Sequence, residues 1–260
     1  MSPASQAPAL VERTLDVNGY RTFARTSPGP DAERLPVVLI HGQGVSSFFV
    51  APSGRELARS FPVEIPDQPG FGRSAGPTRA LDVDGLGDFI AAYLAARGIP
   101  RAVLVGTSFG CQVAVACAAR HPELVAKLVL QGPAAAPADR GAMKLVYLWW
   151  QNGRQEPTDM KLLAAEYRAA GFRRVYDTFN HYRRYPIDKV LRRVEVPVLI
   201  VRGADDKLVS EAWAERLAQA APSGRLALVL GVAHTMSRFW PVELAQATED
   251  FILDGGGERY

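Results

Sequence analysis

Apolar residues along this chain fall into two recurring patterns. The first is a short continuous run closed by a glycine or a turn residue: VVLIHG at 37–42, AVLVG at 102–106, KLVLQG at 127–132, PVLIVRG at 197–203 and RLALVLG at 225–231. All read as strands, and VVLIHG, continuous and closed by glycine, suits one buried on both faces. FPVEIPD at 61–67 predicts one more strand. The second pattern spaces apolar residues three and four apart, over 81–98, 109–120, 211–220 and 241–253, and predicts amphipathic helices; SGRELARS at 53–60 predicts a shorter one. Gly98 and the pair His121-Pro122 supply stop signals for the first two of these helices. Residues 11–27 alternate around Asn18-Gly19, a pair suited to the positive φ of a type I′ turn, so a hairpin is expected there.

Strands alternating with helices predict an α/β fold: a mostly parallel sheet flanked by helices on both faces. The rhythm breaks after Gly132. Residues 134–190 contain no buried-strand pattern and read as amphipathic helices over ADRGAMKLVYLWWQ, PTDMKLLAAEYRAAG and FRRVYDTFNHYRR. The strand rhythm then returns. The expected organisation is a core of 11–133 and 191–254, with 134–190 a small helical cap inserted between two strands of one sheet.

Bulk composition narrows the picture. The chain has 260 residues, enough for one large domain, and 22% of them are charged. The net charge of +3 comes from scattered arginines, densest in YRRYP at 182–186 and VLRRVE at 190–195. These read as solvated surface, so no nucleic-acid partner is expected. No apolar stretch approaches membrane-spanning length, the opening MSPASQAPAL has no signal-peptide pattern, and the tail DGGGERY reads as frayed. Cys111 and Cys117 would point to different faces of one helix, so neither a disulfide nor a metal site is expected, and a reducing, cytoplasmic setting follows. No dinucleotide fingerprint or ligand spacing implies a cofactor or metal.

The chemistry concentrates at Gly106-x-Ser108-x-Gly110, where a strand gives way to a helix. A serine hydroxyl there needs an imidazole to take its proton and a carboxylate to orient that imidazole. In an open parallel sheet such groups gather beyond the carboxyl ends of the strands. Of the four histidines, His234 follows the strand at 225–231; His41 suits a loop-shaping role, His121 a helix end, and His181 lies among arginines in the insertion. Asp205 and Asp206 follow the strand at 197–203, and Asp67 is a competitor whose simpler role is to brace the turn after it. An oxyanion site would need two convergent amides. Phe109, at the helix start, supplies one. The glycine-rich HGQG at 41–44 would supply the other, through Gln43 or, failing that, Gly44.

In this order the pieces resemble the α/β-hydrolase superfamily, over about residues 12–253. VLIHGQG resembles that family's oxyanion strand and loop, DQPGFGRS its D-x-P-G-x-G-x-S turn, VGTSFG its nucleophile elbow, GADD its G-x-x-D acid turn, and GVAHTMSRFWPVELAQATEDFI its histidine loop and last helix. The resemblance implies Ser108, Asp206 and His234 as catalytic residues, in the family's chain order. The insertion falls where the family carries a cap.

One fold serves many reactions. A serine at 108 disfavours the dehalogenase and epoxide hydrolase chemistries of the family, which use a carboxylate nucleophile. HGQGVSSFF lacks the proline of the longer loop seen in its carbon–carbon bond hydrolases. The expected activity is therefore hydrolysis of a small or medium carboxylic ester. Thioesters, lactones and carbon–carbon bonds are alternatives on the same residues, and a non-catalytic small-molecule receptor is a further one. A small-molecule, ester-like substrate is the expected partner, without membrane insertion. The substrate site is expected to be mainly apolar, with Phe48, Trp149, Trp150 and Met236 as wall residues; Phe49 and Tyr147 are further aromatics of the same segments. Arg183 and Arg184 could bind an anionic group, with solvated surface the simpler expectation.

Overall fold

The computed structural model describes residues 8–31, 33–157 and 160–254. Most of the N-terminal stretch 1–10 and of the tail 254–260 lie outside the described residues, as do Thr158 and Asp159 of the second insertion helix. The chain runs β1 (Val11–Val17), β2 (Tyr20–Ser27), β3 (Val37–Ile40), α1 (Ser47–Leu57), β4 (Val63–Pro66), α2 (Val83–Ala96), β5 (Ala102–Thr107), α3 (Phe109–Arg120) and β6 (Val125–Gln131). Four helices follow: α4 (Ala142–Gly153), α5 (Met160–Ala170), α6 (Phe172–Arg184) and α7 (Ile187–Leu191). The sheet resumes with β7 (Val198–Gly203), α8 (Glu211–Ala220), β8 (Gly224–Val229), α9 (Met236–Phe239) and α10 (Pro241–Leu253).

The eight strands form one sheet in the order β1-β2-β4-β3-β5-β6-β7-β8. Strands β1 and β2 pair antiparallel about Asn18 and Gly19, both at positive φ, as the hairpin reading expects. The pairings from β4 through β8 are all parallel. Central strands alternate their side chains between two apolar layers. Leu104, Leu128 and Ile200 join α2, α3 and α8 on one face. Val103, Val105, Val129 and Val201 join α1 and α10 on the other. That two-sided burial is why these strands read as unbroken apolar runs.

Three local expectations change. Helix α1 starts at Ser47 rather than near residue 53, because Ser46 caps it by accepting the Phe48 amide at 3.3 Å. It passes through Pro52, and the Phe48 carbonyl four residues earlier accepts Arg238 Nη1 at 3.4 Å instead. Second, the insertion is not packed apart: Leu145, Tyr182, Ile187, Val190 and Leu191 all belong to the main apolar core. Third, the short α9 after His234 carries no apolar periodicity long enough to read. Both cysteines are free and buried. Among the described residues, no helix is long and apolar enough to cross a membrane.

Candidate active site

The carboxyl ends of β3, β5, β6, β7 and β8 all feed one site. Ser108 sits between β5 and α3 at φ 52°, ψ −116°, one of two non-glycine residues with positive φ among the described residues. Holding a serine there costs about 1–3 kcal/mol and requires support from its surroundings. Two glycines supply the room. A Cβ at Gly106 would lie 2.6 Å from Cys111 Cα, and one at Gly110 would collide with the Ile40 carbonyl. The Ser108 amide also remains tied to the sheet, donating to the Gln131 carbonyl at 2.9 Å. Ser108 is partly exposed while its neighbours Thr107 and Phe109 are buried, so the turn presents the hydroxyl outward.

His234 reaches this hydroxyl from beyond β8: its Nε2 lies 3.1 Å from Ser108 Oγ. Its Nδ1 lies 2.8 Å from Asp206 Oδ2. Asp206 is buried and its other oxygen accepts the amides of Leu208 at 2.8 Å and Val209 at 3.0 Å, which fixes the carboxylate plane. The adjacent Asp205 is exposed and takes no part. Arg202 braces the acid loop by donating Nε to the Val209 carbonyl at 2.7 Å and Nη2 to the Asp206 carbonyl at 3.1 Å. The electrostatics follow from these contacts. Burial works against a charged His234, but the Asp206 charge, its hydrogen bond and the Glu156 carboxylate outweigh burial and hold the imidazole above its ordinary pKa.

The loop after β3 closes the other side. A Cβ at Gly42 would be 3.5 Å from Ser108 Cβ, so Gly42 and Gln43 stand beside the hydroxyl. The Gln43 side chain is used elsewhere, donating to the Val175 carbonyl at 3.0 Å. Phe109 provides the first amide of α3, in the turn where a helix leaves amides without intrahelical acceptors. His41 shapes this loop: Nε2 accepts the Gln68 amide at 3.0 Å and Nδ1 faces the Gly42 carbonyl at 2.9 Å. That arrangement needs a neutral ring, and burial lowers the His41 pKa accordingly. Asp67 accepts the amides of Ser47 at 2.6 Å and Arg73 at 2.8 Å, which makes it the turn brace the sequence suggested.

Ser108 and His234 open onto a cavity of about 700 Å³. Its wall is mainly apolar and draws heavily on α4, α5 and α6, including Leu145, Trp149, Leu163, Val175 and Phe179. Of the expected wall residues, Trp149 faces this cavity and Phe48, Trp150 and Met236 do not. The reason is helical geometry. Leu145, Trp149 and Val146 span one arc of α4 and line the cavity, while Trp150 falls beyond that arc, exposed, stacked on Tyr147 and covered by the Arg154 guanidinium. Phe49 takes the wall position expected of Phe48, which lies outside under Arg25 and Arg238. Met236 is fully buried in the apolar layer with Val232 and Leu244.

Several contacts around the site carry no sequence motif. Asn152, at the end of α4, accepts the His234 amide at 3.3 Å and the Lys207 amide at 3.4 Å, joining the histidine and acid loops. Glu156 accepts the Thr235 hydroxyl at 2.6 Å and also the Thr235 amide. Gln131 donates to the His234 carbonyl at 2.6 Å. Gly132, at φ 56°, leaves space for the His234 ring. Only Gly132 had a readable signal, as a glycine closing a strand.

A serine hydroxyl 3.1 Å from an imidazole that is itself held by a buried carboxylate can lose its proton to that imidazole and attack a carbonyl carbon. Comparison with known proteins agrees with this architecture. Residues 36–174 match the alpha/beta hydrolase fold family model, more than half of the chain, and the chain belongs to that family of hydrolases. A relative from Caulobacter sp. (strain K31), whose name marks it as a provisionally assigned carbamate hydrolase, RutD, is 27% identical over 86% of this chain and 92% of its own. The 2-hydroxymuconate semialdehyde hydrolase of Pseudomonas sp. (strain CF600) is 41% identical, over 50% of this chain and 46% of that one. Among solved structures, a serine hydrolase involved in carbazole degradation, the CarC enzyme, superposes with a TM-score of 0.76 at 25% identity, covering 94% of this chain and 99% of that one.

Proposed function

We propose that this hydrolase uses Ser108, His234 and Asp206 as a catalytic triad to cleave a small or medium carboxylic ester through an acyl-enzyme. The observation that carries the reading is the unbroken contact from Asp206 Oδ2 through His234 to Ser108 Oγ, at 2.8 and 3.1 Å, at the floor of an apolar cavity. In this scheme Ser108 Oγ attacks the ester carbonyl as its proton passes to His234 Nε2. Asp206 holds the Nδ1 proton and stabilises the imidazolium. The amides of Phe109 and Gln43 hold the oxyanion. His234 then gives its proton to the departing alcohol, leaving the acyl group on Ser108. Water enters, loses a proton to His234, and releases the carboxylic acid with Ser108 restored. The insertion helices act as a cap that selects the acyl group. The triad speaks for an enzyme over a receptor.

A second reading rests on one observation, the 41% identity with 2-hydroxymuconate semialdehyde hydrolase over half of the chain. On that reading the same serine acts on an activated carbon–carbon bond. The test is turnover of a p-nitrophenyl ester series alongside a ring-cleavage-type dienol keto acid, with products identified by mass spectrometry. Sustained ester turnover, lost in Ser108→Ala by roughly 10⁴–10⁶-fold, is the expected result. Turnover of the keto acid alone would move the assignment to carbon–carbon cleavage. No turnover of either by the native protein would remove the hydrolase mechanism.

A further inference from the structure

A second cavity, of about 300 Å³, is lined by Pro137, Arg140, Gly141, Arg183 and Arg184. Three arginines thus meet at one small hollow, and none of them forms an ion pair among the described residues. Arg140 is only 9% exposed. Its Nε donates to the Ala135 carbonyl at 2.9 Å and its Nη1 to the Tyr185 carbonyl at 2.8 Å, while Nη2 is buried without any partner. Its hydrogen bonds therefore go to neutral carbonyls alone. Burial draws the Arg140 pKa down, against Tyr182 and Asp188, which favour its charge without an ion-pair contact. A buried cation without a contacting counter-charge is costly, and an anion in the hollow would relieve that cost.

The backbone adds to the same field. Gly141 is the N-cap of the twelve-residue α4, and its carbonyl accepts the Leu145 amide at 2.9 Å. Gly141 lines the hollow, so the N-terminus of α4, the positive end of its helix dipole, adjoins it. Gly141 places no side chain over this terminus, and no side chain caps it. Arg183 donates Nε to the Arg140 carbonyl, and its guanidinium carbon lies 5.6 Å from the centre of the Phe179 ring. Phe179 also lines the main cavity, so the two cavities are neighbours across one aromatic ring.

We propose that this hollow is an anion-binding site for a phosphate-class group, separate from the Ser108 cavity. Two guanidinium forks and a helix N-terminus match a tetrahedral dianion, which can accept several hydrogen bonds at once. The third arginine, Arg140, supplies the buried charge beneath it. The shared chemistry fits free phosphate or a phosphate monoester carried by a small organic molecule. Either would tie the 137–141 segment to the end of α6, and so fix two edges of the insertion.

The test is isothermal titration calorimetry of the full chain at pH 8 and constant ionic strength, with chloride as background. Inorganic phosphate and phenyl phosphate are titrated in parallel. One saturable site is expected for at least one of them, with a matching rise in Tm. Tighter binding of phenyl phosphate assigns the site to organic monoesters, and tighter binding of inorganic phosphate assigns it to the free ion. Arg183→Gln and Arg184→Gln should each weaken binding roughly ten- to a hundredfold, the scale of one lost charge-assisted bond. Arg55→Gln, on exposed α1 surface, should bind as the native chain does. Arg184 is exposed, so its variant tests the site even if a change at Arg183 loosens the fold. Absence of saturable binding in the native protein overturns the proposal, as does equal binding by native chain and Arg184→Gln. Binding is read without turnover, so the result is independent of whether the serine hydrolase reading holds.

Discussion

Gly132 and the His234 ring occupy adjoining space: a Cβ on Gly132 would lie 2.9 Å from His234 Cε1 and 3.0 Å from Nδ1. Gly132 also holds φ 56°, which a side chain resists. Gly132→Ala is therefore expected to push the imidazole away from Ser108. On an ester substrate kcat should fall about 10²-fold or more, since sub-ångström placement of the base is lost, with a smaller change in KM. Kinetics alongside a thermal melt check this. An unchanged kcat would mean that the ring has freedom the packing denies it.

The two adjacent aspartates should separate cleanly. Asp206 faces His234 and accepts two backbone amides, whereas Asp205 is exposed. Asp206→Asn is expected to lower kcat by roughly 10⁴, because the amide no longer holds the correct imidazole tautomer. Asp205→Asn should leave kcat near native. Circular dichroism confirms folding, and kcat on one ester decides. A crippled Asp205→Asn with a normal Asp206→Asn would contradict the structure.

The pH profile carries its own signature. As the proposed general base His234 must be neutral, so activity should be lost as pH falls through its pKa. The Asp206 charge raises that pKa above the ordinary 6.5 despite burial, so the acid limb of kcat/KM should lie above that value. In Asp206→Asn the raising interactions with Asp206 are gone and burial remains, so the residual activity should show its acid limb at lower pH. A limb that stays in place, or moves up, would mean that another group controls it.

Much of this was legible in the sequence, for physical reasons. Strands β3, β5, β6 and β7 are buried on both faces, and such strands must be continuous apolar runs. The elbow was legible because the turn at Ser108 admits no Cβ at positions 106 and 110. The wall residues were not, because whether Trp149 or Trp150 faces the cavity depends on the rotation of α4 against the core, which a stripe of neighbouring aromatics does not encode. Asn152 and Glu156 were invisible for another reason. They act at His234 and Thr235 across 82 and 79 positions of chain, through long-range hydrogen bonds that leave no local pattern.

Specificity should follow that rotation. Trp149 lines the cavity and Trp150 does not. Across p-nitrophenyl esters of increasing chain length, Trp149→Ala should change relative kcat/KM roughly 10–200-fold, the range of one apolar contact. Trp150→Ala should leave the ratios unchanged. Equal effects from both, tracking a common fall in Tm, would point to loss of packing instead of loss of a substrate contact.

The most direct test of the central claim is covalent capture of Ser108. With its hydroxyl 3.1 Å from His234 Nε2, it should react with a fluorophosphonate and retain the phosphonyl group. Intact mass should rise by a single adduct, and peptide mapping should place that adduct on Ser108. Ser108→Ala and His234→Ala should remain unlabelled under the same conditions. An adduct on any other residue, or ester hydrolysis that survives in Ser108→Ala, would contradict the account.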